Sequence, residues 1–407
     1  MPSKKRTRRK KKNEELNSIA ETLKSYGLRD KNAKKQSGKH RGPPKARSVR
    51  EHGDPRFAPI VAAALSKQGS VKRATHSFHT YPAGMHPDCA RMIIDACPGS
   101  VHDPFCGGGT VLVEGILSGR KVSGSDLSPI ALLVSNARTS GPELATPLRS
   151  AARKIAAQAQ LRIDVDVHED LINWYEPHVA QELGRIRDEI PKYAQEVQPL
   201  LHAIFSSIIV KSSYRKSDTS NQREPHHRPV GTTAILFHKK ARELGRMLED
   251  MPSSQPHIFE GNACIKVPPE PVDLILTSPP YPGVYDYLPL QQLRYLWLGI
   301  ENQKAAQEIG SRRSFRAQGR QDALKEWQER TDEWIKVQTA NLTPQGKFAI
   351  IVGDGLVGGK LVDTLFPTVE ALKRCGMKVV ARASADRPDH ARGAIRIEHL
   401  VLAEREG

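Results

Sequence analysis

Residues 100–128 read SVHDPFCGGGTVLVEGILSGRKVSGSDLS, and the order of residue types in this stretch decides which sheet the chain builds. SVHDPF (100–105) has the composition of a short strand, Gly107-Gly108-Gly109-Thr110 breaks it, and VLVEGILSGR has a helical pattern. KVSGSDLS (121–128) is a second strand, with its helix starting near Pro129. A strand, a crossover helix and a strand in sequence argue a parallel pair. The glycine cluster between strand and helix lets the backbone pass close to a ligand, and Asp126 at the end of the next strand is placed to accept from ribose hydroxyls. Together they point to a nucleoside cofactor. The dinucleotide fingerprint GxGxxG fails at Leu112, and no Lys precedes Thr110 as a P-loop requires. A loop without phosphate-binding features suits S-adenosylmethionine, with Asp103 facing its ammonium group. Cys106 stands at the helix N-terminus, where a thiol can be activated, but the sequence places no base beside it.

The second informative stretch is VDLILTSPPYPGVYDY (272–287). An apolar strand ends on Ser278, two rigid prolines and Tyr281. Pro279 and Pro280 donate no N–H and fix φ while leaving their carbonyls as acceptors. Ser278 adds a hydroxyl acceptor, and Tyr281 a flat ring. Such a set suits a planar group bearing an amine, with the ring on its face and two acceptors on its N–H bonds. An exocyclic amine on a nucleobase is a poor nucleophile because its lone pair is delocalised. Two rigid acceptors would pull it towards tetrahedral geometry without an ionised base, and in a duplex the base would have to be flipped out.

Further strands are expected in GKFAIIVGD (346–354), KVVARAS (378–384) and IRIEHLVLAE (395–404), the last two as an antiparallel hairpin. Between the two stretches the chain lacks strand alternation. Arg149–Leu161, His178–Val197 and Ala234–Leu248 read as helices, and VKSSYRKSDTSNQREPHHRPVGTT (210–233) as a polar, basic loop.

Taken together, DPFCGGGT and TSPPY resemble motifs I and IV of the amino-methyltransferases that modify nucleobases, most of all the site-specific cytosine-N4 DNA enzymes. FHTYPAGMHP (78–87) looks like their motif X, and GNAC (261–264) like the adenine-contacting position, with Asn262 where the family prefers Asp. The resemblance covers roughly residues 75–140 and 255–404. It implies an α/β, Rossmann-like S-adenosylmethionine-dependent methyltransferase: a seven-stranded, mostly parallel sheet with an antiparallel last strand, plus a helical insertion. It also implies site roles. Tyr81, Pro82, Asp103, Phe105, Gly107, Gly109, Thr110, Asp126 and Asn262 would bind S-adenosylmethionine, while Ser278, Pro279, Pro280 and Tyr281 would carry the chemistry on the target base. The motif order is X, I, IV. On this reading residues 1–55 are a disordered basic tail and linker, and 56–140 the first part of the methyltransferase domain. Residues 141–255 are a mostly helical insertion suited to target recognition, and 256–407 the second part of the domain.

The charge agrees with a nucleic-acid partner. The 407 residues carry a net +17, and residues 1–50 hold 18 Lys and Arg against 4 Asp and Glu, so most of the excess is in that tail. In KSSYRKSDTSNQREPHHR (211–228), Lys211, Tyr214, Arg215 and Arg223 mix phosphate- and base-reading side chains, and SRRSFRAQGRQ (311–321) offers Arg312 and Arg313. The five scattered cysteines form no framework and point to reduced thiols and a cytoplasmic address, at the nucleoid in a prokaryote. No metal-ligand spacing, membrane span or secretory signal is read. The expected substrate is double-stranded DNA, the enzyme either partnering a restriction endonuclease or working alone. The rivals are an adenine-N6 DNA enzyme, an RNA guanine-N2 enzyme, and a non-catalytic nucleic-acid-binding protein on the same scaffold.

Overall fold

The computed structural model describes residues 48–82, 84–161, 163–218, 220–284, 286–301, 307–357, 360–389 and 394–406; most of the basic tail lies outside them. In chain order the main elements are β1 (Val49–Gly53), α1 (Ala58–Leu65), α2 (Pro87–Ala96), β2 (Val101–Asp103), α3 (Thr110–Leu117), β3 (Val122–Asp126) and α4 (Pro129–Thr139). The helices α5 (Ala145–Ala159), α6 (Pro177–Glu189), α7 (Gln198–Ser212) and α8 (Thr232–Glu249) follow. The chain then runs through β4 (His257–Glu260), β5 (Val272–Thr277), α9 (Gln292–Leu298), α10 (Arg320–Ala340), β6 (Leu342–Gly353), α11 (Leu365–Arg374), β7 (Met377–Asp389) and β8 (Ala394–Arg405).

The strands form one eight-stranded sheet in the order β1-β7-β8-β6-β5-β2-β3-β4. From β6 to β4 every pairing is parallel, whereas β8 runs antiparallel to both neighbours. This is a Rossmann-like sheet with one reversed strand, as the sequence reading expects. The terminal hairpin is therefore not an appendage, because β8 inserts between β6 and β7. Two strands go beyond the sequence reading. β4 completes the seven, and β1 adds an eighth, antiparallel on the edge of β7. The linker expected to run to residue 55 thus ends earlier, since Val49–Gly53 covers backbone groups that β7 would otherwise leave open.

Alternation along the strands explains why both faces are covered. Leu274, Leu276, Ala349 and Ile351 point to one side, where Ile93, Ile94 and Leu112 of α2 and α3 meet them. Ile275, Phe348 and Ile350 point to the other, against Trp334 of α10 and Leu372 of α11. Helices α5 to α8 enclose a core of their own, built on Leu148, Ile155, Leu183, Ile204, Phe205, Phe237 and Leu244, and Trp297 of α9 joins it. Buried Glu182 caps α8 by accepting from the Gly231 and Thr233 amides at 2.6 and 3.0 Å. Of these four helices, α7 is the one the sequence does not announce. Its run of buried apolar residues from Leu200 to Val210 goes around the whole helix and shows no amphipathic period. Within the loop 210–233, Arg215–Ser217 and Ser220–Arg223 pair as a short antiparallel hairpin. No helix among the described residues is long and apolar enough to cross a membrane.

Candidate active site

The parallel strands β2, β3 and β5 end together, and the two motifs meet there. Asp103 closes β2, Asp126 closes β3, and Ser278 follows β5. Thr277 Oγ1 donates to Asp103 Oδ1 at 2.6 Å, joining the two motifs directly. The Phe105 amide donates to the same oxygen at 3.1 Å. Asp126 accepts from the Gly107 amide at 2.9 Å and from the Ser128 amide at 2.9 Å. Gly107 and Gly109 have φ of +48° and +77°, and a Cβ on Gly109 would lie 2.9 Å from the Ser135 Cβ, so the turn requires glycine.

One cleft is lined by Tyr81, Pro82, Asp103, Phe105, Gly107, Thr110, Asp126, Asn262, Ser278 and Pro280, with Tyr287 and Glu308 on a further wall. Burial raises Asp103 to about 7, countered in part by the Thr277 and Phe105 hydrogen bonds. Burial likewise raises Asp126 to about 6. Two buried carboxylates suit a ligand with an ammonium group and ribose hydroxyls, and the glycine cradle leaves room for its backbone-hugging approach. Of the expected cofactor residues, Gly109 does not line the cleft itself; it shapes the turn as the N-cap of α3. Asn262 lines it while its Oδ1 accepts from the Cys264 amide at 3.0 Å. The Cys106 thiol is pushed well up by burial and by the nearby Asp126 and Asp103 carboxylates, which favours the protonated thiol over the thiolate.

A residue the sequence reading did not single out holds the cleft together. Arg138 on α4 is buried and donates to the carbonyls of Gly108 at 2.6 Å, His79 at 2.6 Å and His76 at 2.9 Å. It thereby fastens the segment carrying Tyr81 onto the glycine turn. Nothing in the pattern of α4 distinguishes this arginine from one on a solvated face.

Ser278 also lines a second concavity, together with Tyr281, Arg387, Glu398, Gln68 and His86; Gly84 and Met85 border both. Tyr281 is buried, and a Cβ on Gly353 would lie 2.6 Å from its ring, so one face packs on the β6 backbone. Its hydroxyl is 3.3 Å from Ser278 Oγ and donates to Glu398 at 3.4 Å. Arg387 Nη1 donates to Glu398 at 2.9 Å, and its guanidinium lies over the Tyr281 ring at 5.9 Å. A chain of contacts therefore runs from β7 and β8 to the serine.

The expected nucleic-acid residues divide. Lys211 and Arg223 are exposed and Tyr214 half-buried near the short hairpin, where Arg223 stacks on Trp174 at 5.3 Å and on Tyr214 at 5.9 Å. Arg215 is buried instead, donating to the carbonyls of Ser220 at 2.6 Å and Leu290 at 2.7 Å, so it pins the hairpin rather than facing solvent. Arg312 donates to the Val284 carbonyl at 2.5 Å, and Arg313 pairs with Glu308 at 3.1 Å and Asp286 at 3.7 Å. These two arginines hold the cleft wall.

Comparisons with known proteins find distant likenesses. No family model matches the chain. It is 27% identical over 248 residues to the Type II methyltransferase M.MvaI of Kocuria varians, a match covering 52% of this chain and 54% of that protein. The chain thus spans about half the length of the curated relative it matches. Among solved structures, the rRNA methyltransferase aviRa of Streptomyces viridochromogenes aligns with a TM-score of 0.31 at 13% identity, covering 84% of this chain and 94% of that one. TrmN of Thermus thermophilus aligns at 0.29 and 13%, covering 79% and 49%.

Proposed function

We propose that this chain is an S-adenosylmethionine-dependent DNA methyltransferase that modifies the exocyclic N4 amine of a flipped-out cytosine. The observation that carries the reading is the position of Ser278, which lines both the cofactor cleft and the second concavity. A methyl donor on one side and an amine on the other would meet at that hydroxyl. The relative M.MvaI, a Type II methyltransferase, supports DNA as the nucleic acid.

When bound, S-adenosylmethionine supplies a methyl group on a sulfonium, which the amine nitrogen takes as the S–C bond breaks. Asp103 and Asp126 hold the cofactor's ammonium and ribose. Ser278 Oγ and the Pro279 carbonyl accept the two amine N–H bonds and keep the nitrogen lone pair directed at the methyl. Pro280 fixes that turn. Tyr281 fixes the serine through its hydroxyl, and its ring, packed on the β6 backbone with the Arg387 guanidinium over it, holds Arg387 beside the base pocket. The nitrogen gains one carbon and sheds one proton to water after transfer, so no strong base is required. Arg387 favours cytosine over adenine, because beside its amine cytosine presents a ring nitrogen and a carbonyl oxygen, both acceptors for a guanidinium. Lys211, Tyr214 and Arg223 would track the DNA backbone from the helical insertion, and the basic tail would add a salt-sensitive grip.

The test is methyl transfer from labelled S-adenosylmethionine by the purified chain to unmethylated DNA, ribosomal RNA and tRNA in parallel. Transfer to cytosine in DNA supports the reading. Transfer to adenine would keep the mechanism and overturn the role given to Arg387. Transfer confined to RNA would overturn the substrate.

A further inference from the structure

The cofactor cleft has a third carboxylate that none of the sequence motifs contains. Glu308 lines the cleft alongside Asp126, Ser128 and Tyr287, and its side chain is 6% exposed. It is held from behind. The Tyr287 amide donates to Oε1 at 2.5 Å, and Arg313 Nη2 donates to Oε2 at 3.1 Å. Arg313 also reaches Asp286 at 3.7 Å, so the segments around residues 286 and 308 are tied together at this point. A carboxylate offers about four acceptor positions, and these contacts use two, one on each oxygen. The Tyr295 hydroxyl lies 3.5 Å from Ser128 Oγ, next in the chain to the Asp126 end of the cleft. Glu308, Ser128 and Asp126 thus line one cleft.

We propose that Glu308 is a cofactor-binding residue that accepts a hydrogen bond from one ribose hydroxyl of S-adenosylmethionine, with Asp126 accepting from the other. The assignment rests on the S-adenosylmethionine reading of the cleft. It also gives Arg313 a purpose, as the residue that positions Glu308.

The test is calorimetric binding of S-adenosylmethionine and S-adenosylhomocysteine to the full chain and to Glu308→Gln and Arg313→Met variants. Loss of one charged hydrogen bond predicts about 10- to 100-fold weaker binding of both ligands by Glu308→Gln, and a smaller loss with Arg313→Met. An unchanged dissociation constant would overturn the assignment, as would a loss confined to S-adenosylmethionine, because the two ligands share the ribose and differ in the sulfonium. A second measurement needs no variant. The wild-type chain should bind the 2′-deoxy and the 3′-deoxy forms of S-adenosylhomocysteine each more weakly than the parent. A penalty at only one hydroxyl would overturn the role of Glu308 and leave Asp126 as the sole ribose acceptor. Failure of the wild type to bind either parent ligand would instead overturn the cofactor reading on which the proposal stands.

Discussion

The two concavities that share Ser278 are built in opposite ways. The two carboxylates and the turn of the cofactor cleft, close to half of its lining, come from local sequence: a strand end, a glycine turn and the next strand end, all within residues 103–128. The second concavity draws on residues 64–69, 84–89, 278–281, 351, 387 and 398, and no short motif contains it. The difference follows from the ligands proposed for them. A cofactor common to many enzymes can be held by one supersecondary unit, whereas a pocket that selects a base is assembled from distant segments free to vary separately.

Ser278→Ala would separate the two concavities most sharply. Removing a rigid acceptor at the reacting nitrogen should lower kcat by about 10²- to 10³-fold, with cofactor affinity within about twofold in calorimetry. An equal loss of cofactor affinity would place Ser278 in the cleft alone. Next, Asp126→Asn should weaken cofactor binding by about 10- to 100-fold, with no change in the affinity of the apo chain for DNA.

The cleft carries a pH dependence through its buried acids. Asp103 lies at about 7 and Asp126 at about 6, both raised mainly by burial from an ordinary value of 3.8. Between about pH 4 and 7 the folded chain holds protons that the unfolded chain has released, so these two groups make the apo protein less stable as pH rises, with no further change above. With the cofactor bound by the carboxylates as proposed, its affinity should rise over the window from about pH 6 to 7. The thermal shift caused by the cofactor should be larger at pH 8 than at pH 5.5. A shift independent of pH would remove these two acids from the binding site.

On the other side, Arg387→Met should weaken selection of cytosine several-fold, read as kcat/KM on duplexes carrying cytosine or adenine at the target position, while cofactor affinity holds. The smallest effect is expected at the exposed hairpin. Arg223→Ala should reduce the salt dependence of DNA binding by about one counterion, and an unchanged slope would leave Arg223 as a packing partner of Trp174.

The sequence exposes what is periodic or locally constrained. Gly107, Gly109 and Asp126 announce the cleft because a positive-φ turn and a strand-end acid need those residue types. It hides what depends on distant partners. Arg138, Glu308 and Glu398 are ordinary charged residues until the fold brings them to the Gly108 carbonyl, the cleft wall and the Tyr281 hydroxyl. Arg215 misleads for the same reason, since its basic loop reads as solvated while its guanidinium satisfies buried carbonyls. Among strands, β4 is four residues of mixed polarity and β1 is largely exposed, so neither carries a pattern strong enough to see.

The central claim is the identity of the methylated atom. Mass spectrometry of nucleosides from DNA of cells expressing the chain, beside cells expressing Ser278→Ala, tests it most directly. The account predicts N4-methylcytosine with the wild type and none with the variant. N6-methyladenine, or no modified base in DNA at all, would contradict it.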